Sequence, residues 1–245
     1  MARHTYDRSI GQDPDAVYSP EKLEESRRVL SSFIADHPRA LIAFSGGKDS
    51  IVAAHIAVQL GVRDAICETS FCFARQVQDF RASADQMGLN AVFKDSLSYE
   101  WLAKHPRWVM TPLKQQPTFY GLRQHRTIKT HARANGYTGI IYGRRIEENT
   151  VPAPIYQTVD GLSHCHPLRR WTTSEVWSYI HAHGLLFPDL YNHVIGRVEG
   201  NTPHNRLPPE HFPDPWPVIH SYDQTVVPIY AQFNAAARSF LQAHA

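Results

Sequence analysis

The chain has 245 residues, 42% of them hydrophobic and 20% charged, with a net charge of +2. That size and balance suit an ordinary globular protein with one sizeable core, and exclude a polycation built for nucleic acid. Three cysteines without a C-x-x-C spacing exclude a disulfide framework and a zinc ribbon, and no run of about 18 apolar residues spans a membrane. With a polar N-terminus lacking an apolar signal core, the expected location is the cytoplasm.

Residues 1–18 read as a loose arm. Ser19-Pro20 supplies an N-cap and a first-position proline, and a helix follows with Leu23, Leu30, Phe33 and Ile34 as its apolar stripe, ended by Asp36-His37-Pro38. Ala40 to Phe44 is a short apolar run that predicts a buried strand. A helix is expected over 51–60, a strand over 62–67, a helix over 75–87 and a strand over 91–93. A helix over 121–134 and a strand over 138–142 follow. Gly61, Gly88 and Asn135-Gly136 act as stops. Thr172-Thr173-Ser174-Glu175 is a capping box opening a helix. The segment 203–217 holds six prolines and reads as an extended cover, and a last helix is expected over 228–243. Alternating strands and helices predict a doubly wound α/β domain with a parallel sheet over 1–195, and a proline-rich C-terminal cover over 196–245.

The sharpest local signal lies between the first strand and its helix: Ser45-Gly46-Gly47-Lys48-Asp49-Ser50. Two glycines let the backbone turn its N–H groups onto an anion, and the helix N-terminus adds positive potential. Lys48 adds a charge, and Ser45 and Ser50 add hydroxyl donors. A carboxylate beside phosphates is repelled, so Asp49 makes sense as a Mg²⁺ ligand or as a group that orients the loop. The pattern is neither G-x-x-x-x-G-K-[ST] nor G-x-G-x-x-G.

Ser45 to Ser50 resembles the SGGxDS motif of the PP-loop ATP pyrophosphatases, the adenine nucleotide alpha hydrolases, whose fold is similar to that of the phosphoadenosine phosphosulfate reductase group. Further segments resemble the reductase-like branch in the same order: Cys67 to Phe71, Tyr142 to Asn149 (G-x-R-x-x-E-[SN]), His166 to Ile180 (P-L-x-x-W-T-x-x-D-V-W-x-Y-I) and Gly184 to Tyr191. The resemblance covers about residues 25–195. It implies ATP cleavage between the α- and β-phosphates, with Mg²⁺, to adenylylate an acceptor oxygen that a sulfur or nitrogen nucleophile then displaces. Ser45, Gly46, Gly47, Lys48, Asp49 and Ser50 would hold the nucleotide, with Thr69, Ser70 and Gly143 beside it. Lys48, Asp49, Arg144 and Arg145 would serve the chemistry, although Arg144 and Arg145 also suit salt bridges to Glu147 and Glu148. Trp171 reads as core.

Reductases of this group carry a catalytic cysteine in a C-terminal tail, and their iron–sulfur branch carries paired cysteines. No cysteine follows Cys165 here, which points toward ATP chemistry. Sulfur incorporation is then the expected purpose. One acceptor is a DNA phosphate, as in DNA phosphorothioation with a cysteine desulfurase as donor. A sulfate adenylyltransferase small subunit, a reductase-like enzyme without the tail cysteine, and a regulatory module without turnover are the alternatives. Cys165 suits either a sulfur carrier or a small buried strand residue, and in a strand His164 and His166 face away from it; a metal site from the two histidines would need further ligands. Arg123, Arg126, Lys129 and Arg133, with Lys114, suit either a basic strip for a phosphate backbone or a solvated helix face. A second copy of the chain is a further expected partner.

Overall fold

The computed structural model describes residues 17–70, 72, 74–95, 104, 126–148, 154–192, 216–232 and 234–244. Helix α1 (Pro20–Asp36) starts from Ser19, whose Oγ accepts the Lys22 N–H. Strand β1 (Ala40–Ala43) leads to α2 (Lys48–Gln59), β2 (Asp64–Glu68), α3 (Ala74–Met87) and β3 (Asn90–Lys94). Helical residues 126–134 form α4. Then come β4 (Gly139–Ile141), a 3-10 turn (Ile146–Glu148), β5 (Tyr156–Val159), β6 (Leu162–Cys165), α5 (Thr173–Ala182), a second 3-10 turn (Asp189–Asn192), α6 (Trp216–Tyr222), α7 (Val226–Ala231) and α8 (Ala235–Ala243).

The six strands form one sheet in the order β3-β2-β1-β4-β6-β5. All neighbouring pairs are parallel except β5 and β6. The period-two alternation sorts side chains between two cores. Ile42, Phe44, Cys67, Ile141 and Cys165 pack with α1, α2, α3 and α5. Leu41, Ala43, Ile66, Ile140, Tyr142 and Leu162 pack with Ile128 and Ala132 of α4. Helices therefore cover both faces, as a doubly wound sheet requires.

The expected doubly wound sheet is present, and three details differ from the reading. The sheet is not wholly parallel: β5 and β6 form an antiparallel hairpin around Asp160-Gly161, both at positive φ (53° and 76°), which is the backbone of a two-residue hairpin turn. The first helix after the glycine loop starts at Lys48 rather than at 51, so half of the hexapeptide is the helix's own first turn. The C-terminal helix is two helices, because Asn234 interrupts it and its side chain accepts the Ala237 N–H to cap α8. The capping box is as the sequence states: Thr172 and Glu175 exchange both bonds. Most of the proline-rich stretch lies outside the described residues.

No described helix is long and apolar enough to cross a membrane.

Candidate nucleotide site

In the parallel part of the sheet the strand order reverses between β1 and β4, and such a switch point is where open α/β sheets form a ligand crevice at the strands' carboxyl ends. The glycine loop leaves β1 at that point, and Tyr142-Gly143-Arg144-Arg145 leaves β4 beside it.

The loop is braced from within. Ser50 Oγ donates to the Gly47 carbonyl (2.8 Å) and accepts the Ser45 N–H (3.1 Å), and Ser45 Oγ donates to Ser50 Oγ (3.0 Å). Gly46 sits at φ +68°, and a Cβ there would fall 2.0 Å from the Phe80 ring of α3. Glycine is demanded twice at this position, by conformation and by contact. Gly47 is the N-cap of α2 and supplies no side-chain cap. The Tyr191 hydroxyl accepts the Lys48 N–H at 3.2 Å. Asp189, two residues before Tyr191, ties that segment to α3, where its carboxylate pairs with Arg75 (2.6 Å) and its N–H donates to Asp79 (3.0 Å).

Beside the loop runs an alternating line of charge. Lys48 Nζ lies 2.7 Å from Asp49 Oδ2, Arg145 Nε lies 2.5 Å from Asp49 Oδ1, and an Arg145 terminal nitrogen lies 2.7 Å from Glu147. Glu147 also accepts the Thr173 N–H at 3.1 Å, at the start of α5. The side chains of Lys48, Asp49 and Arg145 are only 8%, 14% and 2% exposed. In so dry a setting each charge needs its partner. Gly143 makes this proximity possible: a Cβ there would lie 2.5 Å from the Asp49 carbonyl carbon.

The geometry thus brings together Ser45, Gly46, Gly47, Lys48, Asp49, Ser50, Gly143 and Arg145. Arg145 is engaged in the ion pairs that the sequence left open, whereas half-exposed Arg144 stands over the Tyr142 ring at 5.2 Å. Thr69 and Ser70 lie in the turn after β2, where Thr69 donates to the Lys94 carbonyl (2.8 Å) and Ser70 hydrogen-bonds to Glu68. Both Asp49 oxygens are committed to cations. A metal would have to displace one of them, and no group of three metal-ligating side chains occurs among the described residues. A Mg²⁺ ion carried on a polyphosphate would take its other ligands from the phosphates and water.

Of the two readings of Cys165, the structure shows the buried strand residue. It is fully buried on the α1 side of the sheet, and burial pushes its thiol up to about 12. A sulfur carrier needs an accessible thiolate. Native protein at pH 8 should leave Cys165 unlabelled by iodoacetamide until it is unfolded; rapid native labelling would reverse the assignment. Cys67 is equally buried, and Cys72 is half-buried. In the basic strip, Lys129 pairs with Asp160 (2.8 Å) and Arg133 donates to the Asp160 carbonyl (2.6 Å), so both brace the hairpin turn. Arg126 is exposed, and Arg123 and Lys114 lie outside the described residues. Trp171 is buried, with its indole N–H on Ser26 Oγ at 3.0 Å.

Sequence reasoning did not find the two aromatic supports. Phe80 lies on the apolar stripe Phe80, Ala84, Met87 of α3, which periodicity can reveal. The contact of Tyr191 with the loop has no local signal.

The phosphoadenosine phosphosulfate reductase domain model matches residues 39–204, which spans the loop, the charge line and the tyrosine. The chain belongs to the phosphoadenosine phosphosulfate reductase domain family. This family includes nucleotide-processing enzymes. The fold is similar to that of phosphoadenylyl-sulfate (PAPS) reductase from Candida auris, solved as a phosphate complex. Identity is 16%, 75% of this chain and 96% of that chain are covered, and the TM-score is 0.55. NMN synthetase from Francisella tularensis is similar at 20% identity, 69% and 72% coverage and a TM-score of 0.48. At 16% identity the likeness to the reductase is one of fold. No curated protein sequence matches the chain.

Proposed function

We propose that this member of the family is an ATP pyrophosphatase that transfers the adenylyl group of ATP to an acceptor oxyanion. The observation that carries the reading is the braced glycine loop at the switch point, with Lys48 and Arg145 buried beside it. The β- and γ-phosphates would lie against the loop and the N-terminus of α2, where positive charge is already fixed in place. The acceptor oxygen attacks the α-phosphorus and forms an O–P bond. The bond from the α-phosphorus to the bridging oxygen breaks, and its electron pair leaves with pyrophosphate. Lys48 and Arg145 hold the charge that develops on that leaving group, and the pre-set loop supplies orientation. Divalent cations, Mg²⁺ first, would accompany the polyphosphate.

The full burial of Cys67 and Cys165 argues against either as the thiol of a reduction and so supports adenylyl transfer. Sulfur incorporation remains the purpose we favour, and a DNA phosphate or free sulfate the acceptor. In an assay with α-labelled ATP and Mg²⁺, AMP or an adenylylated acceptor should appear with pyrophosphate. ADP as the sole product would overturn the reading.

A further inference from the structure

The second face of the sheet holds a cluster that the chemistry just described does not use. Tyr142, just past β4, meets two imidazoles at the end of β6. Its ring centroid lies 5.0 Å from that of His164 and 5.7 Å from that of His166. The Arg144 guanidinium stands over the same ring at 5.2 Å. His164 is 5% exposed and His166 is 1% exposed. His166 Nε2 faces the Gln157 side-chain amide nitrogen at 3.2 Å. With that NH₂ donating, the ring proton sits on Nδ1. Nδ1 of His166 and Nε2 of His164 have no hydrogen-bond partner. Buried ring nitrogens without partners are rare and call for a missing one.

The surroundings say what that partner should be. Lys129 and Arg144 act on His164, and Arg144 and Arg169 act on His166. Asp160, already paired with Lys129, acts against them at His164. Burial first, and these cations second, push both imidazoles down to about 4. They are therefore neutral near pH 7: His166 donates from Nδ1, and His164 donates from Nε2 in the tautomer that places its proton there, without adding charge, while Arg144 supplies it.

We propose that Arg144, His164 and His166 form a subsite for a small tetrahedral oxyanion, the acceptor of the adenylyl group. Its role as acceptor rests on the adenylyl-transfer reading; its binding of the ion does not. Gly143 separates the cluster from the loop by one residue, on the strand end that borders the crevice. Half-exposed Arg144, over the Tyr142 ring, marks the side from which the ion enters. A site this enclosed takes an ion with free oxygens, such as sulfate or phosphate, in preference to a phosphodiester with a sugar on each side.

The test uses the full chain with isotope-labelled histidine, and each ring signal is assigned through His164→Gln and His166→Gln. Sodium sulfate, sodium phosphate and a thymidine dinucleotide are titrated separately at constant ionic strength held with chloride. The two ring signals should shift and saturate with sulfate or phosphate and stay still with the dinucleotide. Arg144→Ala should weaken the response by about tenfold or more. Rings silent to both ions in the wild-type protein would overturn the subsite, as would a response that Arg144→Ala leaves unchanged. An equal response to the dinucleotide would overturn the preference for small ions. The α-labelled ATP assay separates the two ideas. Saturating ring shifts without AMP or adenylylated product leave the subsite standing and remove the adenylyl-transfer reading. Turnover with silent rings does the reverse.

Discussion

Replacing Asp49 with alanine is expected to cost about 3 kcal/mol of stability and to lower adenylyl transfer by about 100-fold or more. The carboxylate lies between Lys48 and Arg145, 2.7 Å from one and 2.5 Å from the other. Without it two buried cations lose the anion between them. Glu147 still holds Arg145, which keeps the loss at the lower end of the range for a broken buried pair. Asp49→Asn separates the two effects. It preserves volume and one acceptor, so it should lose about 1–2 kcal/mol yet remain as impaired in turnover as the alanine variant. Urea unfolding and pyrophosphate release from ATP, measured side by side, read both quantities. An asparagine variant with full turnover would show that the negative charge of Asp49 is not what sets Lys48 and Arg145 for the reaction.

Gly143→Ala is expected to destabilise by about 1–3 kcal/mol and to abolish measurable nucleotide binding. The added methyl meets backbone: the Asp49 carbonyl carbon and oxygen at 2.5 Å and the Ser50 nitrogen at 2.7 Å. No rotamer relieves such a contact, so either the segment after β4 or the first turn of α2 must shift. Each of those movements separates Arg145 from Asp49. Gly61→Ala makes the control. It meets nothing within 4 Å but occupies φ +92°, so it should carry a backbone cost of about 1–2 kcal/mol while calorimetric titration finds ATP affinity unchanged. Equal nucleotide affinity in the two variants would refute the role given to close approach at Gly143.

The sequence made β1, the loop and α2 legible because three independent rules coincide there: an apolar run, two glycines and a renewed apolar stretch. The capping box at Thr172 was equally plain, since both of its bonds are local. The β5–β6 hairpin was missed although Asp160-Gly161 marks its turn, because the flanking strands alternate weakly: Tyr156 is exposed and His164 is buried. The split of the C-terminal helix at Asn234 was overlooked because the alanines on either side favour helix. In the site, residue identity foretold which groups gather but not which partners they take. Arg144 and Arg145 are adjacent and chemically alike. Only packing decides that Arg145 enters the buried ion-pair line while Arg144 lies over Tyr142, because successive residues leaving a strand point to opposite faces of the sheet. The contact between Tyr191 and Lys48 spans 143 positions and has no local trace.

The bracing of the loop has a consequence for how such proteins change over evolutionary time. Ser45, Gly46, Gly47 and Ser50 hold one another, seat Phe80 and lead directly into α2, a helix with eight buried residues. A descendant that gave up turnover would still need these residues in order to fold, so selection would keep the hexapeptide long after the reaction was gone. Drift would begin instead at Arg144, which is half-exposed and lies outside the pairs that Arg145 makes with Asp49 and Glu147. Among relatives of this chain, the residue at that position is therefore a better witness to a working enzyme than the loop that first draws the eye.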